Sequence, residues 1–189
     1  MLSRIPPKIS RNVLTSLFKA SSLPCRATPF SSIQASGLST AADDRQQRPF
    51  HYAFPVHDLD AAKDFYGNTL GCSEGRSSTK WQDYNLYGHQ IVCHFAGSNY
   101  RCLDWYNPVD GDEVPVPHAG IVLTHSQFHA LVERIKGQVD FIIEPHRRFE
   151  GQPGEQWTMF FKDPSGNNLE FKAMEHEGNL FTKYEVKEG

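Results

Sequence analysis

RPFHYAFPVHDLDAAKDFYGNTLG, residues 48–71, returns in outline as VPHAGIVLTHSQFHALVERIKG, residues 116–137. Each copy opens with aromatic, β-branched and small residues in strand texture. Each then passes to an apolar stripe at helical spacing and halts at a glycine. In the first copy Asp58 is the expected N-cap, Leu59, Ala62, Phe65, Tyr66 and Leu70 make the stripe, and Gly71 follows the end. In the second the expected N-cap is Ser126, the stripe is Phe128, Leu131, Val132 and Ile135, and Gly137 follows. Further strands trail each copy. KWQDYNLYG and HQIVCHFA flank a tight turn at Gly88; VDFIIEP, QWTMFFKDPSG and NNLEFKAM close the second half. The pattern predicts an α+β fold of two tandem βαβββ modules, about residues 49–98 and 116–175, whose sheets curve into a half-closed barrel. GSNYRCLDWYNPVDGDEVP between them reads as a polar connector.

Strand alternation sorts the side chains. Phe50, Tyr52, Phe54 and Val56 share the face that packs under a helix, while His51 shares the other with Ala53 and Pro55. In the second copy Ala119, Ile121 and Leu123 face the helix, and His118 faces away with Gly120 and Val122. In the last strand Leu169 and Phe171 go to the helix side, leaving Asn168, Glu170 and Lys172 on the concave side. A lone strand histidine is more often structural than a ligand. Two at repeat-related positions, facing the same space as a carboxylate, make a metal-binding triad of His51, His118 and Glu170 the sharper reading. A cation there also answers why a carboxylate sits in an apolar strand. HRRFEGQPGEQ reads as a polar loop over the cavity mouth, where Arg147 and Arg148 are candidate holders of a substrate carboxylate. His57, His125, His129 and His176 read as surface residues.

Residues 1–42 hold five Lys/Arg, no Asp or Glu and a dozen Ser/Thr. That composition is the signature of an organelle transit peptide, mitochondrial in preference to plastid. Residues 1–45 are therefore expected to be a disordered transit segment and 46–189 the folded domain. Without residues 1–42 the chain keeps 14 Lys/Arg against 22 Asp/Glu, a formal charge of −8, which argues against nucleic acid or an anionic membrane surface as partner. No apolar run reaches the roughly 18 residues that a membrane span needs. Cys25, Cys72, Cys93 and Cys102 show no zinc-like spacing and read as free thiols in a reducing compartment.

FHYAFPVHDLDAAKDFYGNTLGC, PHAGIVL and DPSGNNLEFK resemble the vicinal oxygen chelate superfamily. That group includes glyoxalase I, extradiol ring-cleaving dioxygenases, bleomycin-resistance proteins, fosfomycin-modifying transferases and methylmalonyl-CoA epimerase. The likeness covers roughly residues 49–175. GHQ and RFEGQPGEQWTMFF are similar to short proteins described as extradiol-type dioxygenases. The resemblance implies that His51, His118 and Glu170 are the metal ligands. Glyoxalase I adds a glutamate on the strand equivalent to that of Glu170, and Val92 stands at that place here. The three-ligand set implies a dioxygenase using Fe(II), or Mn(II), with a small catecholic or enolic substrate and O₂. His94 and Glu155 are then the catalytic candidates, with Gln90, Arg147 and Arg148 as substrate contacts. A lyase, isomerase or epimerase of the same fold is the alternative, Gln90 serving in proton transfer; a non-catalytic binding protein is a third. A homodimer is expected from the exposed sheet edges, with the modules either paired within a chain or swapped between two.

Overall fold

The computed structural model describes residues 48–186. In chain order come β1 (His51–Val56), α1 (Leu59–Lys63) widening into a π-helical turn (Asp64–Thr69), β2 (Ser73–Ser77), β3 (Trp81–Leu86) and β4 (His89–Phe95). β5 (Trp105–Val109) and β6 (Asp112–Val116) follow, then β7 (His118–Val122), α2 (His125–Ile135), β8 (Phe141–Arg148), β9 (Gln156–Lys162) and β10 (Asn168–Met174). The strands form a four-stranded sheet in the order β1-β4-β3-β2, a second in the order β7-β10-β9-β8, and a two-stranded β5-β6 ribbon. In each four-stranded sheet the first strand pairs parallel to the last, β1 with β4 and β7 with β10. The βαβββ repeat is thus present twice. The sheets remain separate, and no closed barrel forms among the described residues.

The helix-side residues read from alternation make one core across both modules. Phe54, Val56, Tyr66, Ile91 and Cys93 pack with Phe128, Leu131, Phe161, Leu169 and Phe171. Each large apolar side chain among them contributes about 1.5–3 kcal/mol on burial. Phe65 and Phe161 meet at 6.2 Å, and the Tyr66 hydroxyl donates to Asp163 Oδ2 at 2.9 Å. The modules are therefore joined through their helix sides. The Asp163–Asn167 turn strengthens the joint: Asp163 Oδ1 accepts from the Ser165 and Asn167 backbone N–H groups, and Asn167 Nδ2 donates to the Pro55 carbonyl.

Asp58 caps α1, accepting from the Ala61 N–H. α2 begins earlier than the sequence suggests. Thr124, not Ser126, is its N-cap, in a reciprocal capping box with Gln127. The expected polar connector contains the β5–β6 ribbon, which turns through Asp110 and Gly111 at φ 51° and 85°. Val109 and Val114 of the ribbon pack on Ile143 and Phe160. β2 was absent from the sequence pattern because SEGRS is polar and exposed along its whole length. His129 and His176 are exposed as expected, but His57 and His125 are half-buried. The His57 backbone N–H donates to Ser165 Oγ, and its ring lies 2.8 Å from the same oxygen. His125 Nε2 lies 2.9 Å from the Met174 carbonyl. Both histidines tie segments together. The expected transit peptide and Cys25 lie outside the described residues; Cys72, Cys93 and Cys102 are free thiols.

Candidate metal centre

The second sheet brings two of the three expected ligands together. His118 Nε2 lies 3.5 Å from Glu170 Oε2 on the helix-free face. The other carboxylate oxygen accepts from Thr158 Oγ1 at 3.0 Å, and Lys172 Nζ lies 3.7 Å from Oε2. His118 Nδ1 lies 2.6 Å from the Pro115 carbonyl, which can only accept, so the neutral imidazole carries its proton on Nδ1 and leaves the Nε2 lone pair on the Glu170 side. The Phe160 ring meets the imidazole edge-on at 5.2 Å. Backbone register sets this geometry: Asn168 is level with His118 and Glu170 with Gly120. A Cβ built on Gly120 would lie 1.5 Å from the Glu170 carbonyl oxygen, so the close approach of the two strands requires glycine.

The first sheet presents His51 on its own helix-free face. His51 Nδ1 lies 2.7 Å from Gln90 Oε1, Gln90 Nε2 donates to Asp83 Oδ2 at 2.9 Å, and Arg76 Nε donates to the same oxygen at 3.0 Å. Val92 is level with Ala53 as Glu170 is with Gly120, so a valine does stand where a fourth ligand would come from. His94 is level with Pro55. At about 3.3 Å per residue it lies about 13 Å along the strand from the level of His51 and Gln90, too far for direct contact with an ion held by His51.

Among the described residues no three of His, Cys, Asp and Glu converge. His51 and the His118–Glu170 pair lie in separate sheets whose helix sides are joined, so the three expected ligands do not meet within one chain. Several other candidate residues are engaged elsewhere. Arg147 and Arg148 end β8 and are not on a loop. Arg147 pairs with Glu155 and Glu175, and Glu155 also accepts from the Gly151 N–H. Arg148 is buried, its Nε 3.1 Å from Asp112 Oδ2, and it donates to the Val109 carbonyl. Its role is to fasten the β5–β6 ribbon, which removes it from substrate contact. Sequence reading missed Thr158 and Asp83. The available signal was a threonine among the bulky apolar residues of WTMFF and a carboxylate inside the strand WQDYNL.

An apolar crevice of about 190 Å³ lies between β1 and β7, lined by Tyr52, Phe54, Tyr66, Ile91, Ile121 and Leu169, with His118 at its wall. Those six are helix-side residues; of the three expected ligands His118 borders the crevice and His51 and Glu170 do not.

The family model for the glyoxalase/bleomycin resistance protein/dioxygenase superfamily matches residues 48–171. A glyoxalase/bleomycin resistance protein/dioxygenase from Alicyclobacillus acidocaldarius is 32% identical, with a TM-score of 0.60 over 70% of this chain and 96% of that one. A point mutant of the fosfomycin resistance protein FosX from Listeria monocytogenes, complexed with Mn(II) and 1S,2S-dihydroxypropylphosphonic acid, is 20% identical. It superposes with a TM-score of 0.51 over 69% of this chain and 93% of that one. No functionally curated protein matches.

Proposed function

The chain belongs to the glyoxalase/bleomycin resistance protein/dioxygenase superfamily, and from that premise we propose that it is a metal-dependent enzyme of the extradiol dioxygenase type. The ligands we assign are His51, His118 and Glu170. The observation that carries the reading is the half-site on the second sheet: an imidazole with its proton tied to a backbone carbonyl turns a free Nε2 lone pair toward a carboxylate at 3.5 Å. Two imidazoles and one carboxylate suit Fe(II) or Mn(II). When bound, the ion supplies positive charge and open positions at which a substrate with two neighbouring oxygens chelates.

Because His51 stands apart from the other two, the proposed centre joins two copies of the chain. His51 comes from one copy, His118 and Glu170 from the other. The exposed His51, Ala53 and Val122 on the helix-free faces are consistent with a second copy seating there. The chain's own residues then act by placement. Thr158 and Lys172 orient the Glu170 carboxylate, one from each of its oxygens. Phe160 sets its ring edge against the His118 imidazole and so fixes the orientation of that ring. The isomerase alternative loses support because the Gln90 amide is engaged at both ends by His51 and Asp83.

The test is metal content after anaerobic purification, for wild type and Glu170→Ala, followed by O₂ uptake with a panel of catechols. Near-stoichiometric iron lost in the variant, with uptake by wild type, is the expected result. A redox-inert metal and turnover without O₂ would overturn the dioxygenase reading.

A further inference from the structure

Resting on the metal reading above, we propose that Gln90 is a positioning residue that sets the His51 tautomer, held in its own orientation by Asp83 and Arg76. A neutral imidazole carries one N–H and one lone pair, and only the lone-pair nitrogen binds a metal. Which nitrogen is free depends on what the other one meets. His51 Nδ1 meets Gln90 Oε1 at 2.7 Å. A glutamine amide by itself decides nothing, since a flip would replace the acceptor with a donor.

Here the flip is blocked. The other end of the amide lies 2.9 Å from Asp83 Oδ2, and a carboxylate only accepts, so Nε2 must point that way. Oε1 is left for His51, the imidazole proton is drawn to Nδ1, and Nε2 is left with the lone pair. Asp83 is 5% exposed, and Arg76 Nε donates to it at 3.0 Å.

Sheet order β1-β4-β3-β2 supplies one member per strand: His51, Gln90, Asp83, Arg76. Two local features of β2 let Arg76 reach. The β2–β3 register shifts between Glu74 and Ser77, and a Cβ on neighbouring Gly75 would lie only 3.0 Å from Asp83 Cβ. The result matches His118, whose Nδ1 is held by a carbonyl, so both imidazoles offer Nε2. A carbonyl needs no help to be an acceptor, whereas a glutamine does, which gives the buried Asp83 its role.

The experiment reads the tautomer without metal and the affinity with it. Long-range ¹H–¹⁵N spectra of the His51 ring, recorded metal-free at a pH where imidazole is neutral, are compared for four proteins. These are wild type, Gln90→Leu, Asp83→Leu and the double variant Gln90→Glu with Asp83→Leu. Metal affinity is measured in parallel by chelator competition with Mn(II) and with Fe(II) under anaerobic conditions. Wild type is expected to carry its proton on Nδ1. Gln90→Leu is expected to lose that preference and about 10–100-fold in affinity. Asp83→Leu, similar in shape but with no acceptor, frees the amide to flip and is expected to give a mixture of tautomers.

The double variant needs no orienting partner: a carboxylate at 90 only accepts, so it draws the His51 proton to Nδ1 whichever way it turns. It is expected to restore the tautomer and most of the affinity. A wild-type His51 protonated on Nε2, or a tautomer unmoved by Gln90→Leu and Asp83→Leu, would overturn the proposal. A wild type with the Nδ1 proton that binds neither ion would support the relay and refute the metal reading on which its function rests.

Discussion

Gly120 has no room for a methyl group, and that constraint reaches the candidate centre directly. The residue lies level with Glu170 in the parallel pairing of β7 and β10, and an added Cβ would meet the Glu170 carbonyl oxygen. Gly120→Ala must therefore push the strands apart and move both His118 and Glu170. Overpacking of this kind costs about 1–3 kcal/mol. Urea unfolding of the metal-free variant should show that loss, and chelator competition should show weaker metal binding. Unchanged values in both would mean that the strands adjust without disturbing the pair. The residue scale was also the most legible in the sequence. Alternation placed His118 and Glu170 on one face, and the structure holds them 3.5 Å apart. It did not foresee Thr158 or Asp83, because a hydrogen-bonding neighbour comes from another strand and its register is not written locally.

Among the elements, the helices and central strands were legible because their apolar residues recur at the spacing of the element. β2 and the β5–β6 ribbon were not. β2 is wholly exposed, and the ribbon gains its order from tertiary contacts: Val109 and Val114 on Ile143 and Phe160, and Arg148 on Asp112. Thr124 displaced Ser126 as the α2 cap because Gln127 completes a capping box three residues later. Asp104 anchors the start of the ribbon, accepting from Asn168 Nδ2 and from Lys162 and Tyr106. Burial raises its carboxyl pKa, but the hydrogen bonds from Lys162, Asn168 and Tyr106 outweigh that, and the net shift is downward. A depressed folded-state pKa stabilises at pH values above the unfolded pKa of about 3.9 and loses that contribution as pH falls through the folded value. Asp104→Asn should thus lower the urea midpoint at pH 6 by more than at pH 3. An equal difference at both pH values would show that the charge of Asp104 contributes nothing.

At the scale of the whole molecule, the repeat announced two modules and three ligands but not how the modules meet. The helix-side core joins them within the chain, and His51 is left on a face apart from His118 and Glu170. That arrangement depends on which surfaces of two sheets pack together, and nothing in the alternation of a single strand specifies it. It leads to the central claim, that one centre takes His51 from one copy and His118 with Glu170 from another. The most direct measurement is to co-express His51→Ala and Glu170→Ala chains with different tags, isolate the mixed dimer and count its metal. If the centre is shared, one of the two sites in the mixed dimer is intact and the other lacks both residues. The account predicts one tightly bound ion per mixed dimer and far less in either variant alone. A mixed dimer as empty as its parents, or a wild-type chain that stays monomeric and still fills its site, would contradict it.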